Sequence, residues 1–344
     1  MRAIIITYLL LFFSSFLSAQ QFSQVSGSIV DPNNSSGGCS WADYNNDGYP
    51  DLFICNTNTD NQLFKNKGDG TFEEITNGSI VRDGGASNTA TWGDYDNDGN
   101  IDIFISNNPT ASSPPQVNFL YKNNGAPDFT FSKVFVSATQ QHSNYTWSSS
   151  WVDYDNDGDL DLHMPDNKHL RLDYFYENKG NGNFSPINPS FVTPNVESTG
   201  VVYWIDFDHD GDQDLFMIKS GRSHMNGREN NRMYLNLLKE TGNLSFKRVL
   251  TGGLVNHNNL DFQASWGDYD NDGDMDAYLG NFDGRNYLYR NDGDTIFIRI
   301  TTGPAATDLQ FTLGSTFGDF DTENSENYYL LVQNHSVQAF EKKF

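Results

Sequence analysis

The chain has 344 residues and carries 45 aspartates and glutamates against 21 lysines and arginines, a formal net charge of −24. A surface that acidic repels phosphate backbones and excludes a nucleic-acid binder. Only two cysteines are present, too few for a disulfide framework.

Residues 1–19 combine Arg2, an apolar run from Ala3 to Leu17 and the small pair Ser18-Ala19. This order reads as a cleaved secretory signal peptide, and the run is too short to span a bilayer well. The expected mature protein is therefore residues 20–344: secreted, extracellular, periplasmic or at the cell surface, without a membrane span and monomeric. Its first segment, Phe22 to Val30, resembles Phe72 to Val81 further along the chain.

A nine-residue pattern, D-x-[DN]-x-D-G-x-x-D, then occurs five times. The copies are Asp43-Asn45-Asp47-Gly48-Asp51, Asp94-Asp96-Asp98-Gly99-Asp102, Asp153-Asp155-Asp157-Gly158-Asp161, Asp206-Asp208-Asp210-Gly211-Asp214 and Asp268-Asp270-Asp272-Gly273-Asp276. Alternate acidic side chains in a tight loop bent by glycine suit a hard cation that takes six to eight oxygen ligands. About five calcium ions are expected. The loops are not EF-hands, because the twelfth position holds Ile54, Ile105, Met164, Met217 and Leu279 where an EF-hand has its bidentate Glu. Of the 45 acids, 22 fall inside these loops, so the acidity is mostly an inventory of ligands and not a sign of a basic partner.

Cys39 precedes the first loop by four residues and Cys55 follows it by four. If the flanking strands pair antiparallel with these two opposite each other, a disulfide can bridge them; two reduced thiols are the alternative.

Successive loops open 51, 59, 53 and 62 residues apart, which makes the chain an internal repeat. A tryptophan stands two residues before each loop: Trp41, Trp92, Trp151, Trp204 and Trp266. Beyond each loop comes N-x-[LFM]-[YF]-x-N, as in Asn61 to Asn66 and Asn286 to Asn291, then a glycine turn and a further Phe. Each repeat thus offers four short strands separated by turn chemistry, with no useful helical periodicity. The expected fold is all-β: a β-propeller of four-stranded blades. A sixth, degenerate loop opens at Asp319, with Asn324 in place of the glycine and Asn327 in place of the closing Asp. Whether it holds metal is open. The chain ends before a fourth strand of that blade, and residues 22–30 can supply it, which gives six blades closed by the N-terminal strand; the alternative is a fragment of a seven- or eight-bladed propeller.

The run W-G-D-Y-D-N-D-G at Trp92 to Gly99 and at Trp266 to Gly273, with the later N-x-L-Y-x-N, resembles the FG-GAP or VCBS repeat family over about residues 37–340. The resemblance implies a calcium-binding propeller like that of the integrin α-subunit. It implies ligands at the first, third, fifth and ninth loop positions, with the backbone carbonyl of the seventh residue, Tyr49, Asn100, Asp159, Asp212 or Asp274. Asn45 departs from the pattern, so the first site is expected to be the weaker.

The calcium loops join strands one and two of a blade, and the longer insertions fall at the other end. Those insertions carry Lys168, His169, Arg171, Lys219, Arg222, His224 and Arg228, with His142, Tyr145 and Trp147. In so acidic a chain, a basic and aromatic cluster suits an anionic or glycan-like partner. Two functions are expected from this pattern. One is a non-catalytic binding or adhesion module for protein or carbohydrate. The other is a polysaccharide lyase with His224, Arg222, Arg228 and His142 as base and carboxylate-neutralising groups. No nucleophile elbow, zinc motif or phosphate loop is present.

Overall fold

The apolar run after each loop forms a strand buried on both faces, and the segments around it pair with it in sequence order. The computed structural model describes residues 36–107, 117–135, 146–166, 172–188, 199–219, 230–256, 260–281, 285–293, 295–307, 312, 314–318, 329–333 and 337–341. Blade one comprises Ser36–Ala42, Asp51–Asn56, Gln62–Asn66 and Phe72–Ile75, and blade two Ser87–Gly93, Asp102–Asn107, Phe119–Asn123 and Phe131–Val134. Blade three comprises Ser150–Val152, Asp161–Met164, Tyr174–Asn178 and Phe184–Ile187. Blade four comprises Val201–Ile205, Asp214–Ile218, Arg232–Asn236 and Phe246–Val249, with a short helix, Leu238–Thr241, between its last two strands. Blade five comprises Asp261–Gly267, Asp276–Asn281, Tyr287–Asn291 and Phe297–Ile300. A sixth sheet has the three strands Gly314–Gly318, Tyr329–Gln333 and Val337–Glu341.

Among the described residues all pairings are antiparallel between sequence neighbours, in five sheets of four strands and one of three. The chain is an all-β propeller built of four-stranded antiparallel blades. Phe22 to Val30, Asp319 to Asn327 and the signal segment lie outside the described residues.

The core lies between blades, not within them. One cluster joins Phe53 and Leu63 of blade one to Ile103, Ile105 and Tyr121 of blade two. Others join Phe104 and Leu120 to Leu162 and Tyr176, Phe175 to Trp204 and Leu215, and Phe216 and Met233 to Leu279 and Tyr289. Each fully buried Phe contributes about 1.5–3 kcal/mol, and it does so only when the next blade is in place.

The tryptophan before each loop is the wedge of this packing. Trp92 packs edge-on against Phe53 at 6.1 Å and donates from Nε1 to Ser40 Oγ at 3.0 Å. Trp151 meets Phe104 at 6.2 Å, Trp204 meets Phe175 at 5.9 Å and Trp266 meets Phe216 at 5.2 Å. Close approach demands the glycine that follows the tryptophan in blade two, since a Cβ on Gly93 would stand 2.7 Å from Trp151. Trp41, the first of the series, is 54% exposed.

Of the two alternatives for the cysteines, the register of blade one goes with free thiols and against a bridge directly across the ladder. Ala42 pairs with Asp51, so Cys39 pairs with Ile54 and Cys55 with Gly38. The ladder is offset by one residue from the arrangement that would set the cysteines opposite, and neighbours in a strand point to opposite faces. Cys39 is exposed, Cys55 is buried and both thiols are free.

Candidate metal centres

Five loops of one geometry join the first and second strands of the blades. The first Asp of each loop shapes the turn: Asp94 accepts the N–H of Asp98 at 3.0 Å and of Gly99 at 2.8 Å, and Asp268 accepts those of Asp272 and Gly273 at 3.1 and 2.9 Å. Asp43, Asp153 and Asp206 repeat both bonds. The glycine at position six has φ between 85° and 98° in all five, a conformation that strains any residue with a Cβ. The fifth Asp accepts the N–H of the seventh residue, as Asp47 does from Tyr49 at 3.1 Å and Asp157 from Asp159 at 2.9 Å.

The closing Asp is buried at 0 or 1% exposure in every loop. It ties three strands together. Asp214 accepts the N–H of Phe207 at 2.9 Å and of Asn236 at 2.8 Å, and Asp276 those of Tyr269 and Asn291, both at 2.8 Å. Asp51, Asp102 and Asp161 make the same pair of bonds. Burial outweighs these bonds and pushes the metal-free carboxyls up, Asp51 to about 6, Asp102 and Asp276 to about 7, Asp161 and Asp214 to about 8.

The third position leaves a carboxylate oxygen without a donor in three of the loops. Asp96 Oδ1, Asp155 Oδ1 and Asp208 Oδ1 are buried with no hydrogen-bond donor. An acceptor left so costs about 1–3 kcal/mol, more when charged, unless something positive meets it. Carboxylate oxygens of Asp94, Asp96 and Asp102 lie within 4.8 Å of one another, as do those of Asp153, Asp155 and Asp161, of Asp206, Asp208 and Asp210, and of Asp268, Asp270 and Asp276. The donor set is all oxygen and mostly carboxylate, which fits a hard divalent ion. In the first loop Asn45 instead donates its amide to Asp51 at 3.3 Å and accepts from Asp47, so one acidic ligand is replaced by a group that satisfies itself.

The five centres differ in the side chain facing them from the third strand. Lys65 reaches Asp47 at 3.3 Å, Lys122 pairs with Asp96 and with Asp98 at 2.8 Å, and Arg290 stands 4.0 Å from Asp270. Glu177 takes that place in blade three and Leu235 in blade four.

The final Asn of N-x-[LFM]-[YF]-x-N joins neighbouring blades. Asn123 donates to the carbonyl of Tyr44 at 2.7 Å, Asn178 to Tyr95 at 2.7 Å, Asn236 to Tyr154 at 2.9 Å and Asn291 to Phe207 at 3.5 Å. Each acceptor is the second residue of the preceding blade's loop. The first polar residue of the motif acts at the opposite end: Asn61, Asn118, Asp173 and Asn286 accept the N–H of Asn56, Asn107, Asp166 and Asn281.

Most of the ligand face expected from sequence, His142, His169, Arg171, Arg222, His224 and Arg228, with Tyr145 and Lys168, lies outside the described residues. Two of its members have other roles. Trp147 is half-buried, its carbonyl accepting from Asn88 at 2.8 Å and Thr89 at 3.2 Å and its ring 6.2 Å from Phe262. Lys219 is 2% exposed, with its ammonium 3.1 Å from Thr199 Oγ1, so it is a buried group and not a presented cation. His163, unremarked in the sequence, is buried between Trp204 Nε1 at 3.2 Å and Asp173 at 3.3 Å and links blades three and four.

The sequence profile of the FG-GAP-like repeat matches residues 43–105, 107–164, 166–217 and 268–324. The chain belongs to the FG-GAP-like repeat family. Each of the four matches runs from one blade into the next, and the stretch between the last two, 218–267, holds the short helix of blade four. No curated protein matches the chain. Among solved structures, the crystal structure of Saccharomyces cerevisiae Sqt1 is similar over 86% of this chain and 82% of its own, at 11% identity and a TM-score of 0.47. BBS1N in complex with ARL6DN is similar in lead-soaked crystals over 89% of this chain and 77% of its own, at 8% identity and a TM-score of 0.45. The mercury-soaked form gives 89% and 81%, 9% identity and 0.47. Among the described residues no helix is long and apolar enough to cross a membrane.

Proposed function

We propose that this protein is an exported, calcium-binding propeller that serves as a non-catalytic binding module for a protein or glycan, with its ligand face opposite the calcium loops. The observation that carries the calcium reading is the set of buried, donorless oxygens on Asp96, Asp155 and Asp208, each inside a cluster of carboxylates. The binding reading follows from what the acids are already committed to. Their oxygens shape turns and tie strands, which leaves the variable connections at the other end for recognition.

Binding of the purified protein to an array of proteins and acidic and neutral glycans, retained in calcium and lost on Arg222→Ala and His224→Ala, is the expected result. Release of unsaturated product from uronate polysaccharides, abolished by His224→Ala, would replace this reading with a lyase.

The same reading takes the ring as six blades, closed when residues 22–30 complete the sheet of Gly314–Gly318, Tyr329–Gln333 and Val337–Glu341. Removal of residues 22–30 is then expected to lower the melting temperature by several degrees, because the last blade loses its fourth strand. An unchanged melt counts against closure.

A further inference from the structure

In blade four an apolar residue faces the loop from the third strand, and the nearby Lys239 side chain passes beside Gly211. Asp206, Asp208, Asp210, Asp212 and Asp214 lie in one loop, and Leu235 stands where Lys65, Lys122 and Arg290 face loops one, two and five. Where other blades turn through glycine after the third strand, this one forms the helix Leu238–Thr241 and brings Glu240 to the loop. Carboxylate oxygens of Asp210, Asp212 and Glu240 lie within 4.8 Å of one another, a group that overlaps that of Asp206, Asp208 and Asp210 at Asp210 alone.

The seventh-position side chain explains why this second group is more than surface acidity. In blade three, Asp159 accepts the amide of Asn97 at 2.8 Å, and in blade five Asp274 has His209 at 3.7 Å, each partner coming from the preceding loop. Among the described residues Asp212 has no such partner from the preceding loop. It is 1% exposed, one oxygen accepts the N–H of Lys239 at 3.0 Å, and the other, Oδ1, is buried without a hydrogen-bond donor. Asp210 Oδ2 is buried and donorless as well. Two buried carboxylate oxygens beside a third carboxylate repel one another unless a proton or a cation lies among them, and burial together with the neighbouring carboxylates pushes the Asp212 carboxyl up.

We infer that blade four holds a second calcium ion, bound by Asp210, Asp212 and Glu240 beside the ion of its own loop, with Asp210 bridging the two. Three carboxylates and open coordination toward solvent at the exposed Glu240 suit calcium, which accepts irregular oxygen shells, better than magnesium. The inference extends the calcium reading of the loops, and the test separates the two.

Calcium titration of the full mature protein by calorimetry, after removal of metal with a chelator, gives the number of ions bound. Glu240→Gln, on the exposed helix, is expected to bind one calcium fewer or to weaken one site at least tenfold, with the melting temperature in chelator unchanged. Asp208→Asn is expected to affect a different ion, and the double variant to lose both. Wild-type stoichiometry and affinity in Glu240→Gln would overturn the second site and leave the loop reading standing. A wild-type protein that binds no calcium would overturn both.

Discussion

At the scale of single residues, the two ends of the N-x-[LFM]-[YF]-x-N motif carry more than its apolar centre suggests. Asn178 is buried, donates to the carbonyls of Tyr95 and Leu160 and accepts the N–H of Gly180 at 3.1 Å. Its removal leaves a carbonyl of one blade and an amide of the next without partners, and each such loss costs about 1–3 kcal/mol. Asn178→Ala is therefore expected to destabilise by about 2–4 kcal/mol in urea unfolding. Asn66 offers the internal comparison. Its amide donates to Pro50 of its own blade at 3.0 Å in an exposed setting, and Asn66→Ala is expected to cost less than half as much. Equal costs would show that the bonds between blades are not what makes this Asn matter.

At the scale of elements, packing between blades decides which substitutions the fold tolerates. Gly93 ends the first strand of blade two, and a Cβ there meets Trp151 at 2.7 Å and Leu160 at 2.9 Å. Gly93→Ala is expected to cost about 1–3 kcal/mol by overpacking, and Trp151→Ala about 3–5 kcal/mol by leaving a cavity between blades. Urea midpoints for both, read by circular dichroism, check the order. A tolerated Gly93→Ala would mean that blades two and three slide apart at no cost.

The strands and loops themselves were legible because their signals are local: alternating acids, a glycine at the sixth position and an apolar run. The register of Cys39 and Cys55 was not, since the offset is set by how many residues the loop takes between Ala42 and Asp51, which the symmetry of the motif conceals. Lys219 and Trp147 misled for a related reason. Both flank long insertions and read as exposed, whereas burial at those positions comes from contacts with distant segments, Thr199 for the lysine and Asn88 and Phe262 for the tryptophan. Glu240 left no trace in the loop motif, because it arrives on a helix that replaces a glycine turn.

At the scale of the whole molecule, the loops and the contacts between blades form one mechanical system. The second residue of each of loops two to four gives its N–H to the closing Asp of its own loop and its carbonyl to the next blade's Asn. An ion that fixes the loop therefore also fixes the seam to the next blade. Ions bound only by the folded chain stabilise it by mass action, about 2.7 kcal/mol for each site at a hundredfold excess over its dissociation constant. Chelation is expected to lower the melting temperature by many degrees, and its size should depend on pH. In the metal-free chain the closing carboxyls titrate between about 6 and about 8, against an ordinary 3.8. A pKa raised by folding gives stability that is fully present below the ordinary value and is lost as pH rises through the folded one. In chelator the protein should therefore melt at a lower temperature at pH 8 than at pH 5, because the buried closing carboxylates must ionise with only their backbone N–H donors and no bound metal ion to offset burial. Excess calcium supplies that partner only to the ionised form, so the gain from calcium should grow over the same interval. Scanning calorimetry across pH 5 to 8 with and without calcium measures both curves, and parallel curves would mean that the closing aspartates sense no ion.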